Sequence, residues 1–254
     1  MFRQLAALGS LVIIELACVS AVIAEDTPSD LLAKAQQAAG KGESKEAVEL
    51  LTAAIRQDSK LATAYYIRGR EHFCLGKIRE SVSDFDKYVE LRPKAEAPLW
   101  ERGISYYYDG KYDKGAKQFE QYQTYDDADV ENSAWRYLCM AQSQSVTKAR
   151  EAMLPIENDT RIPMMQIYNL YRGKLTPADV LEAAKAGDPD ERSLHRRLFY
   201  AHLYIGLYHE VAGKEDDALR HIGLAAEKYR IGHYMGDVAH VHNQILIRKQ
   251  ESKK

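Results

Sequence analysis

The residues best equipped for chemistry in this 254-residue chain are its histidines, and seven of the eight lie between His195 and His242. His195, His202 and His209 recur every seven residues. On one helix that spacing separates neighbours by about 10 Å along the axis, too far to share a metal ion. They read instead as a face that packs or hydrogen-bonds. His233, Asp237 and His240 are spaced by four and three, which puts them on one helical face if their helix begins early enough. The plain reading is a His–Asp hydrogen bond steadying that helix. The sharper one is a zinc site or an acid–base pair, for which the sequence supplies no fourth ligand. Cys74 and Cys139 fall on helices two structural units apart, too distant for a disulfide, and read as buried apolar thiols.

These side chains must be carried by helices, because the sequence repeats. Gly69 and Gly103 are 34 residues apart, as are Gly76 and Gly110, Phe85 and Phe119, Tyr88 and Tyr122, and Arg68 and Arg102. One period earlier, Gly42, Ala47, Leu51 and Ala54 fall in phase with Gly76, Ser81, Phe85 and Tyr88. Small residues in register let helices approach closely, and a glycine ending each first helix accepts a left-handed conformation. Beyond residue 128 the period degrades. Val130–Ser143 reads as a first helix and 146–154 as a short second one. Pro163 opens a segment through Tyr171, and Thr176-Pro177 starts a further helix. Asp188-Pro189 is read as the start of a long helix reaching Ala212. Gly206, Gly213, Ala218, Ile222 and Ala225 then restore the spacing of the early repeats. The last helix, about 234–249, reads as the polar-faced cap that a solenoid needs.

A 34-residue period with these residues in phase resembles the tetratricopeptide-repeat (TPR) family. The resemblance covers 28–128 specifically, with Tyr65, Gly69, His72, Gly76, Ser81, Phe85 and Pro93 making the best repeat. It implies an all-α, right-handed superhelical solenoid of antiparallel helix pairs. Its expected parts are three repeats over 28–128, degenerate pairs over 129–187, and a TPR-like repeat with a capping helix over 188–254. It also implies a concave groove lined by the first helix of each pair. Carried over by position, the groove residues are Tyr66, Arg70 and Phe73 in one repeat and Trp100, Ile104, Tyr107 and Tyr108 in the next. In a fourth repeat the same positions begin at Glu131. That lining is aromatic, so a Lys/Asn clamp for a chaperone's terminal carboxylate is not expected. Tyr, Trp and Arg are the residue types that anchor protein partners, and they also pack well against one another.

The leading residues differ from the rest. Arg3 precedes an apolar run from Leu5 to Ala24, which switches abruptly to Glu25-Asp26. Val22 and Ala24 stand where a cleavage site needs small residues, so residues 1–24 read as a secretory signal. The run is also long enough for an uncleaved anchor. A lipoprotein reading rests on Cys18, with Glu15 three positions before it. Export combined with TPR architecture is similar to the envelope lipoproteins of the NlpI type. A net charge of −2 gives no footing for nucleic acid. The functional expectation is an exported scaffold or adaptor in the periplasm, cell envelope or medium, binding protein or peptide segments without catalysis or cofactor. The alternatives are a metal or hydrolytic protein using His233, Asp237 and His240, and a self-assembling structural protein.

Overall fold

Local sequence sets the helices before any packing does. Thr27 caps the first helix by accepting from the Asp30 N–H while Asp30 accepts from Thr27, with Pro28 at the first helical position. Gly76 and Gly110, with φ of 70° and 72°, let the chain turn straight from one helix of a pair into the next. The computed structural model describes residues 26–253. The expected signal segment, 1–24, lies outside the described residues.

Among these residues the chain is all helix: α1 (Pro28–Gly40), α2 (Ser44–Gln57), α3 (Ala62–Cys74), α4 (Ile78–Leu91), α5 (Trp100–Tyr108), α6 (Tyr112–Tyr122), α7 (Val130–Ser143), α8 (Val146–Glu151), α9 (Met164–Tyr171), α10 (Pro177–Lys185), α11 (Glu191–Val211), α12 (Glu215–Gly223) and α13 (Tyr234–Glu251). Helices α1/α2, α3/α4, α5/α6, α7/α8 and α11/α12 pack as pairs, and α2/α3, α4/α5 and α6/α7 join one pair to the next. The close approaches recur in phase. A Cβ on Gly69 would sit 3.2 Å from the Phe85 ring, one on Gly103 2.7 Å from Phe119, and one on Gly206 2.7 Å from Ile222. The same glycine-against-large-residue contact therefore locks the α3/α4, α5/α6 and α11/α12 pairs. None of the described helices is long and apolar enough to cross a membrane.

Two readings shift. Helix α8 stops at Glu151 rather than 154, because the following carbonyls have other donors. Arg136 donates to the Ala152 carbonyl, and Ser133 Oγ and Tyr168 OH donate to that of Leu154. Residues 152–163 thus wrap over α7 as hydrogen-bonded coil. Helix α11 starts at Glu191 with Asp190, not Asp188, as its cap, since Gly187 and Asp188 both turn left-handed (φ 78° and 47°).

Packing makes a direct prediction. Gly103→Ala and Gly206→Ala force a methyl into a filled contact and should each cost about 1–3 kcal/mol. Gly40→Ala, at the end of α1 with nothing within 4 Å of its Cβ, should be neutral or stabilise by up to about 1 kcal/mol. Urea unfolding midpoints of the three variants decide the order.

Candidate functional site

The seven expected groove residues do share one face, but the chain covers most of it itself. Helix α13 lies against α3 as well as α12. Its first residue, Tyr234, is 2% exposed. The Tyr234 ring stands 5.4 Å from Phe73 and 5.5 Å from Trp100, with the Arg70 guanidinium 4.8 Å from its centroid. Further along α13, His242 Nδ1 shares a 2.9 Å hydrogen bond with Tyr108 OH, and its other ring nitrogen lies 3.2 Å from Glu210. Ile104 and Tyr107 are buried, Tyr107 packing on Tyr112 and Trp135. Tyr66 turns its hydroxyl to Glu101 at 2.7 Å, and burial, then the Glu101 charge, pushes it up to about 12. The last helix buries Tyr234, Val238, Val241 and Leu246 against the chain and keeps Asp237, His240, Gln244 and Arg248 on its less buried side.

What stays open is a cleft between α11 and the 230–233 loop. It has a volume of about 860 Å³ and carries Arg192, Arg196 and Arg230 on its walls. Arg196, Tyr200 and His233 continue from it into a smaller cavity of about 250 Å³. Trp100, Trp135 and Tyr200 wall that cavity, and Asp129, Glu131 and Arg161 line it.

The ionic floor is assembled at the start of α7. Asp129 caps the helix by accepting from the Glu131 N–H at 3.0 Å, and Asp159 accepts from the Val130 N–H at 3.2 Å. A helix N-terminus favours such anions. One guanidinium holds them together: Arg161 donates to Asp129 at 2.5 Å, to Glu131 at 2.8 Å and to Asp159 at 2.6 Å. Tyr204 OH donates to the other oxygen of Glu131 at 2.7 Å. Burial, followed by the Asp129 charge, raises Glu131 to about 7. Burial also pulls Asp159 upward, but its hydrogen bonds from Arg161 outweigh this and hold it below the usual carboxylate range. Glu131 was legible as a groove position of a fourth repeat. Asp159 and Arg161 were not, because they come from the coil after α8.

No family model matches the chain. Over 93 residues, 37% of its length, it is 32% identical to a bovine SGT1 homolog. Over 86 residues it is 34% identical to a tetratricopeptide repeat and J domain-containing co-chaperone of Fusarium oxysporum. The matches span 28% and 16% of those relatives. Among solved structures, MamA from Desulfovibrio magneticus superposes with a TM-score of 0.46 at 17% identity, covering 80% of this chain and 94% of that one. YrrB, titled a TPR protein with an unusual peptide-binding site, gives 0.45 at 14%, covering 84% and 91%. Overlays this loose bear on neither the stacking nor the site; the phased glycine contacts and the helix pairs decide the fold. The fold is a tetratricopeptide-repeat solenoid.

In this TPR solenoid the expected histidine–aspartate set is dispersed. His233 does not lie on α13 but caps it, accepting from the Met235 N–H at 3.3 Å, and its ring stacks on Trp100 at 6.4 Å. Asp237 pairs with Arg230 at 3.0 Å. Asp237 and His240 line one cleft, beside Glu71 and Cys74, apart from His233. Among the described residues no group of histidine, cysteine and carboxylate side chains is placed to hold a metal. The three side chains are not brought together, so the zinc or acid–base reading is not favoured.

The seven-spaced histidines do pack on one face, with a partner the spacing did not show. His202 Nδ1 and His221 Nδ1 stand 2.9 Å apart, a distance that requires one shared proton, and Tyr229 stacks on His202 at 5.3 Å. His209 lies 5.8 Å from His221. Burial, then neighbouring positive charge, lowers both His202 and His221 to about 4.

Two pH effects of opposite sign follow. The lowered histidines contribute stability above about pH 6.5 that drains as pH falls through 4. The raised Glu131 contributes below about 4.5 and loses its contribution as pH rises through 7. In denaturant titrations from pH 4 to 8, His221→Gln should flatten the acid limb and Glu131→Gln should gain on the wild type as pH rises. Parallel curves for all three proteins would refute both assignments.

Proposed function

We propose that this chain is an exported interaction scaffold that holds a segment of another protein in the cleft between α11 and the 230–233 loop, against Trp100. One observation carries the reading. Helix α13 covers Phe73 and Tyr108, yet the cleft beside its first turn stays open, with Trp100, Tyr200 and Arg196 at the passage to the cavity. Tyr, Trp and Arg at a concave junction are the side chains that anchor a bound segment. A solenoid of stacked helix pairs, with its extended surface, supports binding over catalysis. The Arg3 to Ala24 pattern supports export, to the periplasm, the cell envelope or the outside of the cell.

Affinity capture from the cytoplasmic and envelope fractions of the protein's own cells tests this. The wild type should retain a defined set from the envelope fraction. Trp100→Ala and Arg196→Ala, each with unchanged circular dichroism, should lose that set by about tenfold, the effect of one removed anchor. Identical capture by all forms would defeat the cleft. Capture from the cytoplasmic fraction alone would defeat export.

A further inference from the structure

The inner end of the cleft is built unlike a void between packed helices. Its volume of about 250 Å³ is below the ~300–1,000 Å³ of sites for drug-sized ligands and suits one long side chain. Its walls are aromatic, Trp100, Phe119, Trp135 and Tyr200. Two carboxylates, Asp129 and Glu131, line its floor, and together with Asp159 they share the single guanidinium of Arg161. Tyr204 contributes only a neutral hydroxyl. The cavity's second cation, Arg196, is exposed at the rim and pairs with no carboxylate among the described residues.

The floor also has acceptors to spare. Both hydrogen bonds that Asp129 receives among the described residues end on Oδ1, leaving Oδ2 free. Asn132 lines the same cavity, is 2% exposed, and has no donor to its Oδ1. A buried acceptor left without a donor is a desolvation cost that a ligand N–H recovers. A cation over aromatic faces gains further, more so when it leaves water.

Building on the cleft reading above, we propose that this cavity receives a cationic side chain, arginine or lysine, of the bound segment. The aromatic walls take its stem and charge, and Asp129 and Asn132 accept its N–H groups. A carboxylate in the same place would meet Asp129 and Glu131.

The chain contains two tryptophans, Trp100 and Trp135, and both line this cavity, so intrinsic fluorescence reports on its occupancy. The full chain would be titrated with alanine-flanked N-acetyl peptide amides carrying a central arginine, lysine, norleucine or glutamate. The arginine and lysine peptides should give a saturable change and bind at least about tenfold tighter than the norleucine and glutamate peptides. Asp129→Asn keeps a good helix cap and should reduce that preference about tenfold, with circular dichroism unchanged. Equal binding of norleucine, a preference for glutamate, or no saturable response would each overturn the proposal. If the peptides fail while Trp100→Ala still loses its captured partners, the cleft stands and only the ligand class falls. If both fail, the cleft falls too.

Discussion

The packing of Tyr234 between Arg70, Phe73 and Trp100 ties together parts of the chain that a simple stack of repeats would keep apart. In an open solenoid each unit touches only its neighbours, and stability adds up along the axis. Here the first residue of the last helix buries its ring against the second and third helix pairs. An aromatic side chain removed from water is worth several kcal/mol, and the cation over its face adds to that. The superhelix is thereby curled onto its own end, and the concave face becomes an interior. His242, between Tyr108 and Glu210, extends the same closure along α13.

Closure also decides where the polar groups go. Because α13 fills the face over α3 and much of α5, the remaining opening is pushed toward α7 and α11, where the ionic cluster sits. That cluster combines several favourable contacts in one place. Asp129 and Asp159 satisfy the first N–H groups of α7, the helix dipole favours their charge, and Arg161 bridges them. Glu131 is the member left least compensated, and its raised proton affinity follows from burial beside Asp129.

The helices and their phase were legible because the information is local. Gly69 with Phe85 and Gly103 with Phe119 are sixteen residues apart, within reach of a 34-residue pattern, and Gly206 with Ile222 repeats the offset. The aromatic face was legible for the same reason: Tyr66, Arg70, Phe73, Trp100 and Tyr108 are placed by position within each repeat. Its occupant was not. Tyr108 meets His242 across 134 residues, a pairing no periodicity encodes. His221 was missed as the partner of His202 because it lies on the other helix of its pair. Arg161 was missed because coil after α8 carries it back to α7. The spacing of His233, Asp237 and His240 misled because the helix begins one residue too late, which turns His233 into a cap facing Trp100.

The closure by α13 has a consequence in time. Tyr234 follows Arg70 by 164 residues, so a ribosome adding about 5–20 residues per second leaves the aromatic face uncovered for on the order of ten seconds. During that interval Phe73, Trp100 and Tyr108 belong to a nascent chain whose own last helix does not yet exist. The finished protein hides most of a surface that every growing copy displays, and whatever attends the chain during synthesis meets that face.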